Sequence, residues 1–248
     1  MEHRNLKNRV GEVNINFQGL KMKIIEYRKA IDMTVQFEDG TVVKKVAYKE
    51  FSSGSIKNLN YPSVFGKGYM GEGKYKAWGG NKLTKQYCTW FAMISRCYSE
   101  KELLRSPTYR GVEVCDEWCN FQNFATWFDD NYIEGWALDK DILCPDCRVY
   151  SSLTCVFVHR DINSMFTSAG KTKRDLPVGI YYLRGRYQVS TPTHDGSTYV
   201  GFYKTLEEAN IVNKVAKEKY MKKMAEIWEG RIDPRVHAIM CNWKFENK

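Results

Sequence analysis

Two short runs set the tightest limits on what this chain can fold into. Leu138-Asp139-Lys140-Asp141-Ile142 sets three charged residues between two apolar ones, and Thr154-Cys155-Val156-Phe157-Val158-His159-Arg160-Asp161-Ile162-Asn163 passes from strand-type to helix-type residues. The pattern predicts a strand over Ala137–Leu143, a turn over Cys144–Arg148, a return strand over Val149–Val158 and a helix over about Arg160–Ser168. An acidic residue then ends one strand, and the helix after the return carries an amide, Asn163. Asp139 and Asp141, two apart on a strand, share one of its faces.

The flanks predict smaller elements. Lys21–Tyr27, Ile31–Glu38 and Thr41–Tyr48 read as strands, with Asp39-Gly40 as a hairpin turn, and suggest an SH3-like barrel. Six glycines between Gly66 and Gly80 look like a flexible linker. Thr84 caps a helix to about Ser99, with Tyr87, Phe91, Ile94 and Tyr98 as its apolar face, widened by Trp90, Met93 and Cys97. Asn120 caps a second helix with Phe121, Phe124, Trp127 and Phe128 inward. Val178–Tyr182, Arg186–Thr191 and Thr198–Tyr203 read as three antiparallel strands, and Leu206–Trp228 as a long helix capped by Thr205. The fold class is α+β. The expected organisation is a β module over 1–73, a linker over 74–83, the hairpin-and-helix domain over 84–169, and a sheet-and-helix domain over 170–248.

The net charge is +9, which favours a polyanionic partner, nucleic acid first. Residues 1–74 and 170–248 are basic, and the stretch between them is slightly acidic. No apolar run approaches a membrane span, and the first residues lack the apolar core of a signal peptide. The expectation is a soluble intracellular protein without a membrane partner. In that compartment the eight cysteines are expected to be reduced. Cys144 and Cys147 have zinc-knuckle spacing, with Cys115 and Cys119 as a weaker second pair. A structural Zn²⁺ competes there with a turn that holds no metal.

Ordered landmarks carry a family resemblance. The segments TWFAMISRCYSE, VCDEWCNFQNFATWF and WALDKDI…YSSLTCVFVHRDIN resemble the HNH endonucleases of phages and mobile introns, including homing endonucleases, over roughly residues 84–168. Gly179-Ile180-Tyr181, Arg186-Tyr187, Gly201-Phe202 and Thr205-Leu206-Glu207-Glu208-Ala209 resemble the Apetala-type, integrase-associated DNA-binding fold. The first resemblance implies a ββα-metal core that hydrolyses DNA phosphodiesters with one Mg²⁺ or Mn²⁺ ion. Asp139 and Asn163 fall on the ligand positions, and Asp141 is a candidate second carboxylate. The family's middle asparagine falls on Thr154, and its general-base histidine falls on Lys140.

A lysine is protonated at pH 7 and takes no proton from water. Three outcomes follow. Lys140 or Arg160 steadies phosphate charge, His159 substitutes as base, or the site is dead and only grips DNA. The second resemblance implies that the C-terminal strands enter the major groove of double-stranded DNA. Arg184, Arg186, Tyr187, Gln188 and Ser190 would then reach base edges, with Tyr181, Tyr182 and Thr191 nearby. Lys171, Lys173 and Arg174 would hold phosphates. The leading expectation is a phage-encoded endonuclease in the cytoplasm of a bacterial host. The competitors are an inactive DNA-binding derivative or regulator, and a protein that blocks a host defence enzyme through its N-terminal module.

Overall fold

The computed structural model describes residues 8–166, 176–193 and 196–245. It is a mixed α+β chain that divides into two compact units, Met1–Asp129 and Asp130–Lys248. Among the described residues no helix is long and apolar enough to cross a membrane.

The first unit opens with an antiparallel meander. Strands β1 (Val13–Ile15), β2 (Lys21–Lys29), β3 (Asp32–Phe37) and β4 (Val42–Val46) pair in that order. Alternation drives it: Met22 faces Phe37 and Ile24 faces Val35 in the register, and all four are buried. The Asp39-Gly40 turn closes β3 onto β4, with the Asp39 carboxylate accepting the Thr41 N–H at 2.9 Å. Helix α1 (Tyr48–Ser53) lays Phe51 into this core. The expected barrel is not closed among the described residues. The ladder ends at β1 on one side and β4 on the other, so the sheet is open.

A hairpin of β5 (Trp78–Gly79) and β6 (Lys82–Leu83) leads to helix α2 (Lys85–Tyr98). Thr84 caps α2 by accepting the Tyr87 N–H at 3.3 Å. The deepest residues are Trp90, Met93, Ile94 and Cys97, all within the expected apolar face, with Tyr87 and Tyr98 half-buried beside them and Phe91 exposed at its margin. Helix α3 (Glu100–Arg105), a 3₁₀ turn at Pro107–Tyr109, strand β7 (Glu113–Val114) and helix α4 (Asp116–Cys119) follow. Helix α5 (Phe121–Asn131) starts where Asn120 Oδ1 accepts the Gln122 N–H at 2.9 Å, and it buries Phe121, Phe124 and Phe128. The glycine-rich stretch packs closely against this core. A Cβ on Gly68 would come within 2.8 Å of the Trp90 ring, and Gly71 is left-handed at φ 65° directly beside Asn120. These glycines serve close approach, a different role from the flexibility expected of a linker.

In the second unit, β8 (Ala137–Asp139) pairs antiparallel with β10 (Val156–Val158), after the short strand β9 (Val149–Tyr150). Helix α6 (Arg160–Phe166) follows directly. Strands β11 (Ile180–Leu183), β12 (Arg186–Thr193) and β13 (Gly196–Tyr203) form an antiparallel sheet in that order. Helix α7 (Leu206–Trp228) begins with a capping box between Thr205 and Glu208, and α8 (Pro234–Asn242) comes after it. The N-terminal half of α7 covers one sheet face, where Ile180, Val189 and Ala209 meet. Its C-terminal half joins a larger core with the hairpin, α6 and α8.

Candidate functional site

The hairpin is shorter than the sequence suggests, and its side chains say why. Asp139 Oδ1 accepts the N–H groups of Asp141 at 2.8 Å and Ile142 at 2.9 Å. A carboxylate that takes over these backbone donors starts a turn, so β8 stops at Asp139 rather than Leu143. The return is interrupted in the same way. Thr154 donates its hydroxyl to the Val149 carbonyl at 2.7 Å, and its oxygen accepts the Ser151 N–H at 3.0 Å. Thr154 therefore ties the loop.

Asp141 lies in the turn, off the strand, so it does not share a strand face with Asp139 as expected. Its exposed carboxylate pairs with the Lys140 ammonium. The Lys140 side chain is only 7% exposed, and Nζ also donates to the Cys147 carbonyl at 3.0 Å. With its nitrogen engaged by two oxygens of its own turn, the Lys140 side chain is not held out toward a phosphate. Cys144 and Cys147 form a disulfide across this turn. That bond replaces the reduced pair expected of an intracellular chain, and while it stands neither sulfur is a thiolate for the zinc alternative. Cys115 and Cys119 are free thiols. Among the described residues no group of three or more His, Cys, Asp and Glu side chains is placed to hold a metal ion.

Burial pushes the Asp139 carboxyl above its ordinary value of 3.8, against the lowering effect of the two N–H groups and Lys140. The sign follows. Stability from a carboxyl with a raised folded pKa is complete below the unfolded value and is lost as pH rises through the folded one. At pH 7 the charge is therefore a liability. Asp139→Asn keeps an oxygen for both N–H groups without the charge, so its urea midpoint at pH 7 should match or exceed that of the natural chain. Asp139→Ala should fall below it. A lower midpoint for the asparagine variant would overturn this account.

His159 stands at the start of α6. Its Nδ1 lies 3.3 Å from the Asp161 backbone nitrogen and 3.4 Å from the Asp161 carboxylate. The ring packs against Trp228 at 5.0 Å and Trp136 at 6.2 Å between centroids. Sequence reasoning missed these two tryptophans, because nothing local links residues 136, 159 and 228. Asn163 sits one turn further along α6, its N–H bonded to the His159 carbonyl at 3.0 Å. Arg160 projects into solvent, with Nε 3.6 Å from Asp161.

The three-stranded sheet separates its candidates by face. The register sets Tyr181, Gln188 and Phe202 in one row and Leu183 opposite Arg186, on the face away from α7. Ser190 shares that face, accepting from Gln188 Nε2 at 3.2 Å. Arg184 sits in the hairpin turn at φ 53°. Arg184 and Arg186 are exposed, and neither forms an ion pair among the described residues. Tyr187 and Thr191 lie on the other face. Tyr187 packs on the core under α7 and Thr191 is buried, which removes both from the expected reading surface. Lys171, Lys173 and Arg174 fall outside the described residues. Sequence reasoning also missed Tyr199 and Phe202. A bulge in the pairing at Val189/Ser190 breaks the simple alternation that would have placed them together.

No family model, no curated protein and no solved structure matches the chain.

Proposed function

We propose that this protein binds DNA through the outer face of its C-terminal sheet, on a scaffold resembling an HNH endonuclease whose base position has been lost. The observation that carries this reading is the alignment of Arg186, Gln188 and Ser190 on one open sheet face, with Arg184 in the adjoining hairpin turn, both arginines unpaired among the described residues and a chain charge of +9. Arginine reaches guanine edges and glutamine reaches adenine, while the net charge supports phosphate attraction. The engagement of the buried Lys140 side chain by Asp141 and the Cys147 carbonyl supports the inactive form of the scaffold. The open N-terminal meander remains the candidate SH3-like module for a protein partner.

Arg186→Ala should weaken binding to a preferred duplex by about 5- to 150-fold and reduce the slope of log affinity against log salt by about 1. Fluorescence anisotropy over a salt series reads both. Salt-independent binding, or none, would remove the reading.

A second reading keeps hydrolysis with Mg²⁺ or Mn²⁺. It is favoured by the order of strand, return strand and helix, with a half-buried carboxylate ending β8 and Asn163 on α6. The donor set fits poorly. One Asp139 oxygen already serves the turn and Asp141 is paired with Lys140, so only Asp139 and Asn163 would hold the ion. Supercoiled plasmid with either metal decides between the readings. Asp139→Asn is the control, since it retains the turn. Nicking by the natural chain alone would establish the nuclease. Salt-sensitive binding without nicking is the expected result.

A further inference from the structure

We infer that the outer face of the β11–β13 sheet takes an unpaired nucleic-acid strand, stacking its bases on exposed aromatic rings. The inference rests on the reading that this face binds nucleic acid, and names the form of strand it would hold.

Three rings stand open on this face. Tyr181 is 44% exposed, Tyr199 56% and Phe202 45%. Tyr181 and Phe202 flank Gln188 on either side, on the two neighbouring strands. Tyr199 and Phe202 lie with centroids 5.7 Å apart. The opposite face of the same sheet is covered by α7, where Ile180 and Val189 are buried. The open face therefore leaves these three rings in water around Gln188, with Leu183 exposed at its edge. Surfaces of this kind mark binding sites.

Charge narrows the occupant. Arg186 lies on this face opposite Leu183 and Arg184 stands in the adjoining hairpin turn, neither with an ion pair among the described residues, so an apolar ligand alone would leave two cations unserved. A polyanion with flat apolar groups satisfies both features. In a duplex the base faces are already stacked on one another, and only edges reach a protein in the groove. Rings gain little from edges. An unpaired strand presents both its phosphates and its base faces, and such stacking tolerates any base.

The test uses the full chain and two fluorescein-labelled probes: a short oligothymidine strand, which forms no pairs with itself, and a mixed-sequence duplex of equal length. The expected result is tighter binding of the single strand. Phe202→Ala and Tyr181→Ala should each weaken it by about 5- to 150-fold, with the duplex affected less than twofold. Phe202→Tyr, which keeps a π-face, should restore most of the loss. Arg186→Ala should weaken both probes. All these positions are at the surface, and unchanged circular dichroism would show that each variant folds. Duplex preference, or equal losses on both probes, would overturn the inference while leaving DNA binding in place. Binding of neither probe would remove both. Dimers that dissociate in Phe202→Ala would assign the face to a second copy of the chain and also overturn the inference.

Discussion

Trp90→Ala is expected to destabilise the protein by about 3–5 kcal/mol, the upper range for deleting a buried ring. Trp90 is fully buried on α2. Its Nε1 donates to the Trp118 carbonyl at 2.7 Å, and its ring packs on Phe121 at 5.4 Å and Tyr87 at 5.8 Å. The alanine variant would lose transfer energy and open a cavity. It would also leave a buried carbonyl without its donor, itself worth about 1–3 kcal/mol. The backbone cannot readily close the gap. Gly68 already sits where even a Cβ would touch the indole, so collapse must displace a chain segment rather than a side chain. Trp90→Phe keeps most of the volume and loses the hydrogen bond, and should cost roughly half as much. Urea unfolding followed by near-ultraviolet circular dichroism reads both variants. A loss of less than about 1 kcal/mol for the alanine variant would mean that the glycine-rich segment relaxes into the space.

The parts of this fold that could be read in advance are those fixed by neighbouring residues. Asp39-Gly40 set the first hairpin, and Thr205 with Glu208 set the start of α7. Distant partners were not legible. The strand read from the sequence ran past Asp139 to Leu143, but one carboxylate oxygen captured two backbone donors and ended it. On α2, Tyr87-Phe91-Ile94-Tyr98 and Trp90-Met93-Ile94-Cys97 both satisfy helical spacing. The deeper burial of the second set, where Trp90 meets the Trp118 carbonyl across the core, depends on that distant partner. Lys140 looked like a charge available to substrate, because its partners at Asp141 and Cys147 follow from the turn rather than from its position in a motif. The candidate reading face was half legible. Arg186 and Gln188 alternate openly on β12, whereas Tyr199 and Phe202 reach the same face only through the bulge.

The shared core of the second unit predicts that its two resemblances do not unfold separately. Ile162 on α6 is fully buried in one cluster with Val156 and Val158 of the hairpin, Met221 and Met224 of α7, and Val236 and Met240 of α8. Ile162→Ala should cost about 2–5 kcal/mol. A core confined to the hairpin and α6 would keep that loss local. Here the same 23-residue helix that buries Met221 and Met224 in this cluster also carries Ala209 against Val189 of the sheet. Helix α7 cannot keep its sheet-facing half at full stability once its other half loses its footing, because helix formation depends on tertiary packing of the whole length. Hydrogen exchange of the Phe157 and Val189 amides measures the two ends. In the natural chain both should exchange only through opening of the whole unit. In Ile162→Ala both should speed up by the same factor, about 30-fold to several thousand-fold. Acceleration at Phe157 alone would show that the sheet and its helix stand without the hairpin. In that case the binding face could be detached from the nuclease-like element and still fold.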